Sequence, residues 1–149
     1  MKTVQLFRQL ALAAAVSMSA GVAWAELPEA TMYKDPNCGC CSKWADHMRE
    51  AGFKVKEMPS RDMAGIKAQL GVPEAMSSCH TARVGKYVIE GHVPAADVKR
   101  LLAEQPAGAR GLSAPGMPMG SPGMEGGIPD RYDVVQFNDD GGEAVFARH

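Results

Sequence analysis

The sequence predicts an α/β fold: a βαβ unit, then ββα, followed by a Met/Gly/Pro-rich loop and a C-terminal β-hairpin. Three observations lead there. Short β-type stretches alternate with helical apolar spacing up to about residue 105. Cys38 and Cys41 stand three apart, where the first strand gives way to the first helix. Two alternating stretches close the chain around Asn138-Asp139-Asp140-Gly141-Gly142.

Thr31-Met32-Tyr33-Lys34 reads as the first strand and Asp35-Pro36 as the turn after it. Cys41, Trp44, Ala45, Met48 and Ala51 follow at helical spacing to a stop at Gly52, which predicts a helix from about Cys40 to Ala51 with Asn37 as its cap. Phe53 to Met58 alternates as a strand. Ser60 is placed to cap a helix carrying Met63, Ile66 and Leu70, ended by Gly71. After the loop at 72–78 come Cys79-His80 and a hairpin, residues 81–84 and 87–90, turning at Gly85-Lys86. Pro94 suits the first position of a helix holding Val98, Leu101 and Leu102. Residues 106–129 are rich in Gly, Pro and Met and read as a loop without regular structure. The stretches at 132–137 and 143–146 form the closing hairpin. With CxxC at the end of its first strand, this order is thioredoxin-like. One departure stands out: the place of a thioredoxin's cis-proline is taken by Ser77-Ser78-Cys79-His80, with no proline between Pro73 and Pro94.

Residues 1–25 read as a cleaved signal peptide. Lys2 and Arg8 precede an apolar stretch, and Ala23-Trp24-Ala25 has the form of a signal-peptidase site. Residues 26–149 are then a single domain in the periplasm, with no segment near the roughly 20 apolar residues a membrane span requires. Removing Lys2 and Arg8 reduces the 16 basic residues to 14 against 17 acidic ones, a net charge near −3. That balance argues against nucleic acid or an anionic membrane as partner.

In an oxidising compartment four cysteines could be two structural disulfides. Cys38, Cys40 and Cys41 are too close together to staple distant segments independently, and a Cys40–Cys41 bridge would be strained. At a helix start the dipole favours thiolate, the form that binds soft metals and attacks disulfides. The metal reading takes Cys38, Cys40, Cys41 and Cys79 as ligands. Adjacent Cys40 and Cys41 diverge too far to serve one ion easily, but suit a cluster of several. His80 and His92 are candidate nitrogen donors, each weighed evenly against a solvated histidine. His47, two turns from Cys40 and so roughly 10 Å away, falls outside. Met117 and Met119 lie in a stretch with few other apolar side chains and offer thioethers suited to Cu(I), Met124 less so; the alternative is a flexible lid over the core.

Cys38-Gly39-Cys40-Cys41 with Trp44, Ser78-Cys79-His80-Thr81-Ala82, the run from Tyr87 to Ala95, and Gly116-Met117-Pro118-Met119-Gly120-Ser121-Pro122 together resemble the bacterial periplasmic metal-binding family that includes the CopG copper-resistance proteins. The resemblance covers about residues 30–147. It implies a thioredoxin-like fold, a CxCC-based copper cluster, and copper detoxification by interconverting Cu(I) and Cu(II). Copper as the metal, more than one ion of it, and the redox role come mainly from this resemblance. Other periplasmic copper-handling proteins, or an electron donor or acceptor, are the partners it suggests. Two alternatives remain at this stage: a metal-free thiol–disulfide oxidoreductase using Cys38 and Cys41, and a passive copper store or chaperone.

Overall fold

A computed structural model describes residues 26–149; the predicted signal peptide lies outside them. The elements are β1 (Ala30–Lys34), α1 (Gly39–Glu50), β2 (Val55–Pro59), α2 (Met63–Leu70), β3 (His80–Val84), β4 (Tyr87–Gly91), α3 (Ala95–Glu104), β5 (Ala109–Ala114), β6 (Asp133–Asn138) and β7 (Glu143–Arg148), with a 3₁₀ turn at Glu74–Met76. One seven-stranded sheet runs β2-β1-β3-β4-β5-β6-β7. The βαβ and ββα expectations hold: β2 is parallel to β1, while β3 is antiparallel to both β1 and β4. The C-terminal hairpin extends the same sheet as β6 and β7.

Helix α1 places Cys41, Trp44, Ala45 and Met48 in the core, and α3 adds Ala95, Val98 and Leu101. Each large apolar side chain so buried contributes about 1.5–3 kcal/mol. Helix α2 has no fully buried residue; its Met63, Ile66 and Leu70 are half-buried. Beneath the helices, Met32, Ala82, Val84, Ile89 and Leu112 carry the core across β1, β3, β4 and β5.

Four sequence expectations need correction. Asn37 does not cap α1. Cys38 holds that position without a side-chain bond, and Asn37 lies one residue earlier, in a turn where its backbone N–H donates to Asp35 Oδ1 at 2.8 Å. Asp62, not Ser60, caps α2, accepting from Gly65 N at 2.9 Å, while Ser60 accepts the Asp62 amide. Pro94 stands one residue before α3, at its N-cap.

The fourth concerns 106–129, expected to be entirely loop. Residues 109–114 form β5, parallel to β4 and antiparallel to β6. Ala-Arg-Gly-Leu-Ser-Ala has weak strand propensity, but neighbours on both sides satisfy its backbone groups, and that context overrides propensity. Close approach also selects a small residue at Gly111, where a Cβ would fall on the Val88 carbonyl. The loop proper begins at Pro115.

Candidate metal centre

Three segments converge at one end of the sheet. The first is the turn into α1. Cys38 N bonds Asp35 O at 3.0 Å, which tightens the turn. Buried Lys34, the last residue of β1, donates to Cys38 O at 3.2 Å and to Ser42 Oγ at 2.8 Å. Ser42 in turn donates to Glu57 Oε2 at 2.9 Å. Cys38 and Cys41 form a disulfide with Cα atoms 5.4 Å apart, and Cys40 is a free thiol with its Sγ 3.5 Å from that of Cys38. Cys38 and Cys40 are half-buried, whereas Cys41 is fully enclosed.

The second segment is Cys79-His80, entering β3, and the third is His92, just beyond β4. Cys79 Sγ lies 2.9 Å from His92 Nε2 and 3.3 Å from His80 Nδ1. Trp44 binds the segments together. Its Nε1 donates to Val93 O at 2.8 Å, and its ring lies 4.5 Å from that of His80. The two imidazoles meet edge to face at 5.0 Å.

Two donor groups result. The sulfurs of Cys38, Cys40, Cys41 and Cys79 lie within 4.8 Å of one another, as do the donor atoms of Cys79, His80 and His92. Cys79 belongs to both. The electrostatics suit a neutral-donor pocket. Burial, reinforced by Cys40, pushes the Cys79 thiol up to about 12. Burial, then the charges of His92, Lys67 and Lys34, hold His80 well below the usual histidine range. His92 is also lowered by burial, against the carbonyl of Pro122. That carbonyl can only accept, so His92 Nδ1 carries the proton and donates to it at 2.7 Å, leaving the Nε2 lone pair facing Cys79. His80 Nε2 is buried with no hydrogen-bond partner. A buried histidine with one unpartnered nitrogen and the other facing Cys79, next to the His92 lone pair, fits a soft transition metal.

The loop after β5 covers this site. Gly116 N bonds Ser77 O at 3.2 Å, and Ser78 Oγ donates to Gly116 O. Seven residues on, a Cβ at Gly123 (φ +88°) would stand 2.7 Å from Cys40 O, 2.9 Å from Trp44 N and 3.3 Å from His92 Nδ1. Between these anchors lie Met117 and Met119. Met117 is 54 % exposed, while Met119 is half-buried with its methyl toward Gly127.

Two solved structures are similar to this chain. Copper resistance protein CopG, form 2, is 43% identical with a TM-score of 0.78, and form 1 is 44% identical with a TM-score of 0.77. Each comparison covers 82% of this chain and 98% of the other. The chain belongs to the CopG family. The family model described as a protein of unknown function, DUF411, matches residues 76–124, the stretch from the Cys79 segment through the covering loop. No curated protein matches the chain.

Within this CopG-family site, Lys34, Pro122 and Gly123 have roles that the sequence did not assign them. A lysine among strand residues was the one signal available for Lys34; the other two act through backbone atoms and leave none. His47, set outside the site by its spacing, has a separate role: its Nε2 accepts the Ala95 amide at 3.0 Å, at the start of α3. His149 pairs with Asp97 at 2.7 Å and stacks on Tyr132.

Proposed function

We propose that the chain is an exported copper-binding protein of copper resistance, holding more than one copper ion on its thiolates and interconverting Cu(I) and Cu(II). The observation that carries this reading is the position of Cys79 in both donor groups. A sulfur shared by a four-sulfur set and a two-imidazole set suits a bridging ligand, and bridging thiolates build multinuclear sites. Membership of the CopG family supports copper as the metal.

Cys38, Cys40, Cys41 and Cys79 would hold copper through sulfur, His92 through Nε2 and His80 through a ring nitrogen, with Met117 and Met119 closing the site from the loop. Copper would supply one-electron chemistry. With the Cys38–Cys41 disulfide reduced, the four thiolates would favour Cu(I), while the imidazoles would tolerate Cu(II), as a cycling site requires. Pro122 fixes the His92 tautomer, and the loop limits water. The βαβ–ββα order through α3 supports a thioredoxin-like core, and the residues 1–25 leader reading supports a periplasmic domain of residues 26–149.

Anaerobic titration of the reduced protein with Cu(I) tests the proposal. More than one ion per chain is expected, falling on Cys→Ser substitution at 38, 40 and 41. Less than one ion, or no response to those substitutions, overturns it.

One observation favours a second reading. The Cys38–Cys41 disulfide pairs a half-buried outer sulfur with an enclosed inner one, the arrangement a thiol–disulfide oxidoreductase uses for attack and resolution. Insulin reduction by metal-free protein, undiminished in Cys40→Ser, would establish it.

A further inference from the structure

A buried carboxylate that offers nothing to a metal sits behind the second donor group. Glu90, near the end of β4, is fully buried, and all its partners are donors. Oε1 accepts the Ser78 amide at 2.7 Å and pairs with Lys67 Nζ from α2. Oε2 accepts the Thr81 hydroxyl at 2.6 Å, and Lys67 closes the network by donating to Thr81 Oγ1 at 3.0 Å.

The two residues held are those on either side of Cys79-His80. Glu90 therefore grips the chain immediately before and immediately after two of the three donors in that group. The third donor, His92, follows two residues later, just past the end of Glu90's own strand. Between them Gly91 (φ +71°) packs so closely on Ser78 that a Cβ there would overlap Ser78 Oγ. A charged group taken from water into this site is costly unless it is paired, and burial indeed pushes the Glu90 carboxyl up despite Lys67. Apolar residues of similar volume in place of such a pair are often neutral or stabilising, so stability alone is a weak reason for this one.

We propose that Glu90, with Lys67, is a positioning residue for the metal centre: one carboxylate clamps Ser78 and Thr81, and so sets Cys79 and His80 against His92. The inference rests on the copper reading for its consequence, though the clamp itself concerns this chain alone. Glu90 does not touch metal. It acts through the backbone that carries the ligands, as outer-sphere partners of metal ligands do.

The test uses reduced protein and two readouts. Cu(I) affinity is measured by competition with a chromogenic chelator, and the alkylation rate of each cysteine by peptide mapping of metal-free protein. In Glu90→Gln the charge for Lys67 and one acceptor are lost. Cu(I) binding is expected to weaken by about 10- to 100-fold, and Cys79 to alkylate about tenfold faster as its surroundings loosen, with Cys40 unchanged. A general loss of stability would move both cysteines together. Should Glu90→Gln not fold, the double variant Lys67→Met with Glu90→Leu removes the clamp while filling its volume, and the same readouts apply. A folded variant with either readout at the wild-type level overturns the proposal. If wild-type protein itself takes no copper, the copper reading fails, and the Cys79 alkylation rate alone decides the clamp.

Discussion

Cys79 Sγ and His92 Nε2 stand 2.9 Å apart across the β3–β4 hairpin, thirteen residues distant in sequence. The contact joins the sulfur side of the site to its nitrogen side. Cys79→Ser should therefore cost more bound copper than Cys40→Ser, because it removes a donor from both groups rather than one. Metal counting on the two purified variants checks this; equal losses would mean that Cys79 does not bridge.

Proton linkage follows from the Cys79 thiol. With its pKa pushed up to about 12, it is protonated at neutral pH, so metal binding at Cys79 must displace its one proton. Apparent copper affinity should rise about tenfold per pH unit for the proton released at Cys79. His80 and His92, held below their ordinary 6.5, compete only in acid. Competition titrations from pH 6 to 9 would give the slope.

The same shifts set the stability of the metal-free fold. The two histidines bind protons more readily unfolded than folded, so their contribution is complete above pH 6.5 and is lost as pH falls below it. Cys79 prefers the neutral thiol when folded, so its contribution is present below its ordinary 9.0 and is lost as pH rises from there toward about 12. Thermal unfolding should therefore show a plateau between these limits and a fall on both sides.

Gly123→Ala probes the covering loop. Its added methyl would meet Cys40 O, Trp44 N and His92 Nδ1 at a backbone angle that disfavours side chains. A loss of about 1–3 kcal/mol is expected, with faster hydrogen exchange across residues 116–124. Gly126→Ala, with open space around it, is the matched control: its own positive φ brings backbone strain but no contact with the site.

Met117→Ala with Met119→Ala should weaken Cu(I) binding by about 10- to 100-fold while leaving thermal stability nearly unchanged, since neither side chain is in the core. Hydrogen exchange with and without copper separates ligation from mere tethering. If residues 116–124 exchange equally in both states, the methionines are not ligands.

Local chemistry was the part of this molecule most open to sequence reading. Cys38, Cys40 and Cys41 lie within one helical turn, so their proximity needs no tertiary information. The β3–β4 hairpin was equally accessible, because Gly85 marks its turn. What sequence could not supply was set by contacts between distant segments. Strand β5 exists because β4 and β6 flank it, although Ala109 to Ala114 has little preference for strand. The Asp62 cap won over Ser60 through a choice between two competent side chains, one and three residues before the same helix start. Glu90 gave only one faint sign, a carboxylate in a strand whose other members are apolar or glycine. Its partners Ser78 and Lys67 lie 12 and 23 residues away.

The segment over the metal centre leaves the sheet from β5 and returns as β6, and those two strands are direct antiparallel neighbours, with Ser113 opposite Val135. Both ends of the cover are therefore rooted side by side in one rigid platform. Such an insertion is grafted onto the sheet rather than threaded through it, and loops of this kind tolerate changes of length and composition at small entropic cost. Access to the sulfur and nitrogen donors can accordingly be altered through residues 115–132 alone, while the strands beneath keep their registry. The fold thus separates a fixed set of sulfur and nitrogen donors from an exchangeable cover.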